Sequence, residues 1–159
     1  MTSADLAAFA IRAMMVALFL PFSAWYILAD FRGARDHAAS LGVGRGVGAV
    51  MMLGALAVEV VASLGVLTGV ADCLAALTLA AFCLATAILY KRFWAVGDFA
   101  FRADSRAAGV FWDFLKNVSL AGGFLVLAFG ATAPDIAEGW AAFQADPIGS
   151  TMPYGRTVP

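Results

Sequence analysis

Residues 47–71 read VGAVMMLGALAVEVVASLGVLTGVA, and residues 72–90 follow directly as DCLAALTLAAFCLATAILY. Glu59 and Asp72 are the only charged side chains in the whole stretch. A helix crosses the hydrocarbon core of a bilayer with about 20 mostly apolar residues. The stretch therefore holds two spans, 47–71 and 73–90, joined by almost nothing around Ala71 and Asp72, which predicts a tight antiparallel hairpin. A second pair flanks it. Residues 6–29 carry Arg12 as their sole charge, and residues 107–133 carry Asp113 and Lys116 in their first half. The first run is longer than a signal-peptide core and no small-x-small site precedes Asp30, so it reads as an uncleaved span.

The composition agrees with this reading. Of 159 residues, 63% are hydrophobic and 13% charged, against about 25% charged in an average soluble domain. Too little polar material remains to cover a water-soluble surface. Ten basic residues against eleven acidic ones argue against nucleic acid as a partner. No alternating ten-residue segments suggest a transmembrane β-barrel. The predicted fold is all-α: an integral membrane antiparallel four-helix bundle over residues 1–133, with an extramembrane tail over 134–159.

Loops 30–46 and 91–106 share one side of such a bundle. They carry Arg32, Arg35, Arg45, Lys91, Arg92, Arg102 and Arg106, whereas Arg12 and Arg156 fall to the other side. The positive-inside rule then places both loops in the cytoplasm and both termini outside. Tyr90, Phe93 and Trp94 beside Lys91 and Arg92 read as an aromatic belt at that surface.

Glu59 is the costliest residue in the spans, since a charged side chain at the bilayer centre costs roughly 2.5–3.5 kcal/mol on insertion scales. Small residues on its helical face (Ala55, Ala62, Ser63, Gly48, Gly69) point it into the bundle. It must be protonated or paired, and Lys116 is the expected partner, with Asn117 and Asp113 beside it on one turn of the fourth span. Two readings stand: a proton-accepting group or part of a quinone pocket, or a structural contact that fixes helix register. Trp25, Tyr26 and Phe22 in the inner half of the first span, with Trp112 from the fourth, would line such a pocket; they would equally form a belt. Asp113 and Lys116 pair at i, i+3 or mark the interface.

Other chemistries lack their residues. His37, the lone histidine, falls in the first loop and reads as an ordinary loop residue. A bis-histidine haem is excluded, and zinc or copper sites lack ligands. Cys73 and Cys83 lie about 15 Å apart along one helix and read as packing residues, not a redox pair. The stretch Gly42–Ala49 contains one Gly-x-Gly-x-x-Ala match, Gly44-x-Gly46-x-x-Ala49; it enters a membrane span rather than following a strand, so no dinucleotide site is expected. Gly65-x-x-x-Gly69 and Gly122-Gly123 read as close-packing positions.

In the tail, Pro134, Asp135 and Glu138 suit the first turns of a helix, and Ile136, Trp140 and Phe143 recur at i, i+4, i+7. A short amphipathic helix ending at Asp146-Pro147, then an extended end, is expected. Trp140, Phe143 and Tyr154 are the candidates for docking an external partner.

Three motifs carry a family likeness: Gly54-Ala-Leu-Ala-Val-Glu59 through Gly69; Tyr90-Lys-Arg-Phe-Trp94; and Phe114-Leu-Lys116-Asn117 through Gly122-Gly123. On these, residues 10–130 resemble the DoxX family of small four-helix bacterial membrane proteins. The tail lies outside the likeness. Many members carry a lysine near the inner end of the first helix; here that region reads Ser23-Ala-Trp-Tyr-Ile-Leu-Ala-Asp30 and lacks it. The resemblance implies a multi-pass protein of the bacterial inner membrane and a subunit of a respiratory or redox complex, since related proteins are described as membrane subunits of a thiosulfate:quinone oxidoreductase. Three functions follow as expectations. The first is a non-catalytic anchor or accessory subunit for a larger membrane or periplasmic redox protein. The others are a quinone-binding subunit and a small transporter. No covalent cofactor, haem or metal is expected; a quinone is the one possible ligand.

Overall fold

The computed structural model describes residues 2–102 and 104–154. Arg156, counted above with the tail side, lies outside the described residues. Four helical segments are long and apolar enough to cross a membrane: Ser3–Ala29, Arg45–Thr68, Asp72–Ala95 and Arg106–Phe129. The chain is thus an all-helical, multi-pass membrane protein.

The first span is broken. Helix α1 (Ser3–Val16) passes through a π-helical turn, Leu18–Ser23, into α2 (Ala24–Ala29). Leu20 leaves helical geometry at φ −122°, ψ 112°, directly before Pro21. Proline has no N–H to donate and disfavours helical backbone at the residue before it, so the break falls where the sequence requires it. Sequence periodicity had suggested one continuous helix.

The first loop is also structured. Asp30 accepts a hydrogen bond from the Gly33 amide at 2.9 Å and starts α3 (Phe31–Ala39). This helix lies against α4 (Arg45–Thr68). The approach is close: a Cβ on Gly48 would meet the Arg35 carbonyl oxygen at 2.7 Å.

Helix α4 ends at Thr68 because Gly69 adopts φ +76°, a left-handed conformation that glycine accepts without strain. Helix α5 (Asp72–Tyr90) returns antiparallel, level with α4 where a Gly65 Cβ would sit 2.8 Å from the Ala75 Cβ. The close packing read into Gly65 is therefore present. Gly122 differs: nothing lies within 4 Å of its Cβ position, and only Gly123 meets a neighbour, Met15, at 3.3 Å. Helix α5 is the most enclosed span. It lies between α4 and α6 (Arg106–Phe129). The core consists of Val16, Phe19, Val66, Leu79, Cys83 and Phe124. Many large apolar side chains, Val50, Val61 and Ile88 among them, face outward, as lipid contact demands.

On the loop side, the Asp98 carboxylate accepts from the amides of Arg106 and Ala107 at 3.0 and 2.9 Å and fixes the start of α6. Phe93 packs edge-on against Trp94, Phe111 and Phe114 there. On the opposite side, Gly130 (φ +86°) ends α6, short of the expected residue 133. A capping box of Thr132 and Asp135, with Pro134 in the first turn, begins α7 (Ala133–Ala145). Helix α7 folds back on α6, with Trp140 and Phe143 packed on Phe129 at ring distances of 5.8 and 6.4 Å.

Candidate functional site

Two polar sites interrupt the apolar bundle. The first closes its tail side. The Arg12 guanidinium is paired with the Asp72 carboxylate at 2.8 Å, and both side chains are almost fully buried. Arg12 also donates to the Val66 carbonyl at 2.8 Å and to Thr151 Oγ1 at 3.2 Å. Thr151 in turn donates its amide to Asp72 Oδ1 at 2.8 Å and its hydroxyl to Asp72 Oδ2. The Tyr154 hydroxyl donates to the Leu67 carbonyl, and Pro153 lies over Gly69. The ion pair is thereby supported by hydrogen bonds from four separate segments, as a buried pair requires.

This site also places the three tail aromatics expected to dock a partner. Tyr154 spends its hydroxyl on the bundle itself, Phe143 is half-buried against Phe129, and Trp140 alone of the three aromatics remains exposed. The chain's own hairpin holds the described part of the tail. Sequence reasoning missed the cluster although its signal was present: one isolated arginine in the first span and one acid at the hairpin.

The second site lies on the loop side. Glu59 is 3% exposed. Its Oε1 accepts from the Ser23 hydroxyl at 2.8 Å, and its Oε2 has no hydrogen-bond partner among the described residues. The break at Leu20–Pro21 lies one turn before Ser23. The expected partner Lys116 is instead exposed and paired with Asp113 at 3.2 Å. Asp113 also pairs with Lys91 at 3.3 Å. Asn117 donates to the Asp113 carbonyl at 3.0 Å and lies 3.4 Å from Thr86 Oγ1. These three residues of α6 form an interfacial group of their own.

Glu59 borders a cavity of about 430 Å³ between α4 and α5. Met51, Met52, Phe82 and Leu89 give it apolar walls, and His37, Tyr90 and Lys91 line it as well. His37 does not behave as a plain loop residue: α3 carries it onto the Tyr90 ring, stacked at 5.1 Å and 22°. The Tyr90 hydroxyl oxygen is buried and, like Glu59 Oε2, has no partner among the described residues. Trp25, Tyr26 and Trp112 do not line this cavity; all three are exposed on the outside of the bundle.

Ser63 Oγ, one turn beyond Glu59, is a third buried atom without a partner among the described residues, but Ser63 does not line this cavity; helix geometry relates the two groups that do. With Gly65 level with Ala75, Glu59 and Tyr90 lie roughly 13 Å apart along the bundle axis at 1.5 Å per residue. Side chains lean toward the N-terminus of their own helix. Since α4 and α5 run antiparallel, Glu59 leans toward the loop side and Tyr90 away from it. The two side chains therefore lean toward each other along the bundle axis, and both residues line the cavity. Buried polar atoms without partners are uncommon, because each costs about 1–3 kcal/mol.

The fold and these sites define a class: a four-span membrane bundle with a buried acid facing an amphipathic cavity, closed on the other side by an ion pair. Comparison with protein-family models, curated proteins and solved structures gave no match.

Proposed function

We propose that the protein is a membrane subunit that binds the headgroup of a quinone between Glu59 and Tyr90. The observation that carries this reading is that Glu59 and Tyr90, each with a buried polar atom lacking a partner among the described residues, line one cavity. A quinone carbonyl only accepts hydrogen bonds, and the cavity offers donors: the Tyr90 hydroxyl, the Lys91 ammonium and Glu59 when protonated. A protonated Glu59 is also the form that the bilayer interior favours. The reduced quinol reverses one of these bonds, donating its hydroxyl to Glu59. Methionine and aromatic walls suit a flat, polarizable ring. An intramembrane acid in a cavity of this kind is a functional site by default.

The DoxX resemblance supports placing this subunit in a respiratory or redox complex of the bacterial inner membrane, as an accessory to a larger redox protein. The seven basic residues of the two loops support a cytoplasmic loop side. A transporter reading gains no specific observation.

The test is binding of a tail-less benzoquinone to the purified protein in lipid nanodiscs. Glu59→Met and Tyr90→Phe each remove one hydrogen-bonding group from the cavity while keeping a side chain of similar size. Each should weaken binding about tenfold, in line with about 1–1.5 kcal/mol per hydrogen bond, with thermal stability retained. Lys116→Ala should leave binding unchanged. Wild-type affinity in both cavity variants would overturn the reading. The accessory role calls for co-purification with a quinone-reactive enzyme after mild detergent extraction; a protein that runs alone with its quinone affinity intact would refute that part.

A further inference from the structure

The α4–α5 seam continues beyond the headgroup cavity. A groove of about 690 Å³ runs along the tail-side half of the same helix pair. Ala57, Val61, Leu64 and Thr68 line it from α4, and Leu74 and Thr78 from α5. Both threonine hydroxyls are bound to carbonyls of their own helix, Leu64 and Leu74, each at 2.8 Å. The groove therefore offers a ligand almost no free polar atom. Val58 borders both spaces, so groove and cavity are neighbours along the same helix pair.

From this adjacency we infer that the ligand carries a long polyprenyl tail, laid in the tail-side groove while its ring occupies the cavity. The inference rests on the quinone reading above. Three features select this occupant. The seam has one polar end and one apolar end, the pattern of a ring with a single hydrocarbon tail. Met51 to Thr68 spans about 25 Å of helix, whereas one leaflet of a bilayer core is only about 15 Å deep. A phospholipid acyl chain anchored at the loop-side interface would stop near the midplane, so a chain that fills the seam must cross it. Where cavity and groove adjoin, the bordering polar group is Glu59, a carboxyl group that disfavours a phosphate there, while Lys91 and His37 lie at the far, loop-side end.

The test compares two probes in nanodiscs of one lipid composition, a tail-less benzoquinone and a polyprenyl benzoquinone, with affinities expressed per membrane-bound quinone. Val61→Trp fills the groove from an exposed position that does not line the headgroup cavity. It should weaken the polyprenyl quinone at least tenfold and leave the tail-less one unchanged. Leu74→Trp, from the opposite wall, should do the same and guards against a local folding defect in either variant. Equal loss for both probes, or no loss for either, overturns the tail assignment while the headgroup site stands. Failure of the wild-type protein to bind either probe overturns the headgroup reading and this inference together.

Discussion

Replacing Asp72 by alanine should destabilise the bundle by about 3–5 kcal/mol, the usual cost of stranding one member of a buried ion pair. The structure supports the upper part of that range. Asp72 is 1% exposed, and it accepts from Arg12 and from both the amide and the hydroxyl of Thr151. Once the carboxylate is gone, Arg12 keeps the Val66 carbonyl and Thr151 and loses the counter-charge that Asp72 supplied. For a chain of this size such a loss lowers the melting temperature by about 6–20 °C. Cys73 and Cys83 are free and buried, so a thiol-reactive dye reports unfolding directly, in detergent or nanodiscs. Arg12→Met should cost a similar amount, because it strands Asp72. The double variant Arg12→Met with Asp72→Ala should be less destabilised than the sum of the two singles, since no buried charge remains unpaired. Single variants melting within about 2 °C of the wild type, or a double variant equal to the sum of the singles, would refute this account of the site.

Three further outcomes follow from the geometry. Gly65→Ala, whose new Cβ would lie 2.8 Å from the Ala75 Cβ, should cost about 1–3 kcal/mol by overpacking, while Gly122→Ala, with nothing within 4 Å, should be neutral or stabilise by up to about 1 kcal/mol; the same dye assay decides. The amides of Ala107 and Arg106 hold the Asp98 carboxyl below its ordinary pKa. That contribution is therefore present above the unfolded value near 3.9 and lost as pH falls through the lower folded value, so the Arg106 and Ala107 amides should lose hydrogen-exchange protection only in strong acid, and Asp98→Ala should expose them at neutral pH. Finally, in a background lacking Cys73 and Cys83, single cysteines at His37 and Ser150 should react with an impermeant thiol reagent from opposite sides of oriented vesicles, with His37 on the cytoplasmic side; labelling of position 37 from outside would reverse the topology.

The two polar sites lie at opposite ends of the hairpin and are built differently. The Arg12–Asp72 pair is supported by hydrogen bonds from four segments. The Glu59 site leaves Glu59 Oε2 and the Tyr90 hydroxyl oxygen unanswered beside a cavity. On the proposed reading, stability and binding are separated along one helix pair: disrupting the first site should unfold the bundle, and altering the second should change quinone affinity.

The spans were legible in the sequence because insertion into a bilayer depends on a local sum, about 20 apolar residues in a row, and residues 47–90 state that sum with two charges in all. The inward direction of Glu59 was legible for a related reason: a lone acid in such a run has few tolerable surroundings. Its partner was not. Pairing depends on the rotation and tilt of each helix, and the turn at Leu18–Ser23 sets the rotation that brings Ser23, not Lys116, to Glu59. His37 reaches the cavity only because the first loop folds as α3 and seats on Gly48. Thr151 and Asp72 lie 79 positions apart, and no periodicity relates them; α7 turns the chain back on α6 and lets them meet. Local hydropathy determined where the chain enters and leaves the membrane, while the burial of one arginine, one acid and one tyrosine was decided by contacts between segments that only the folded bundle brings together.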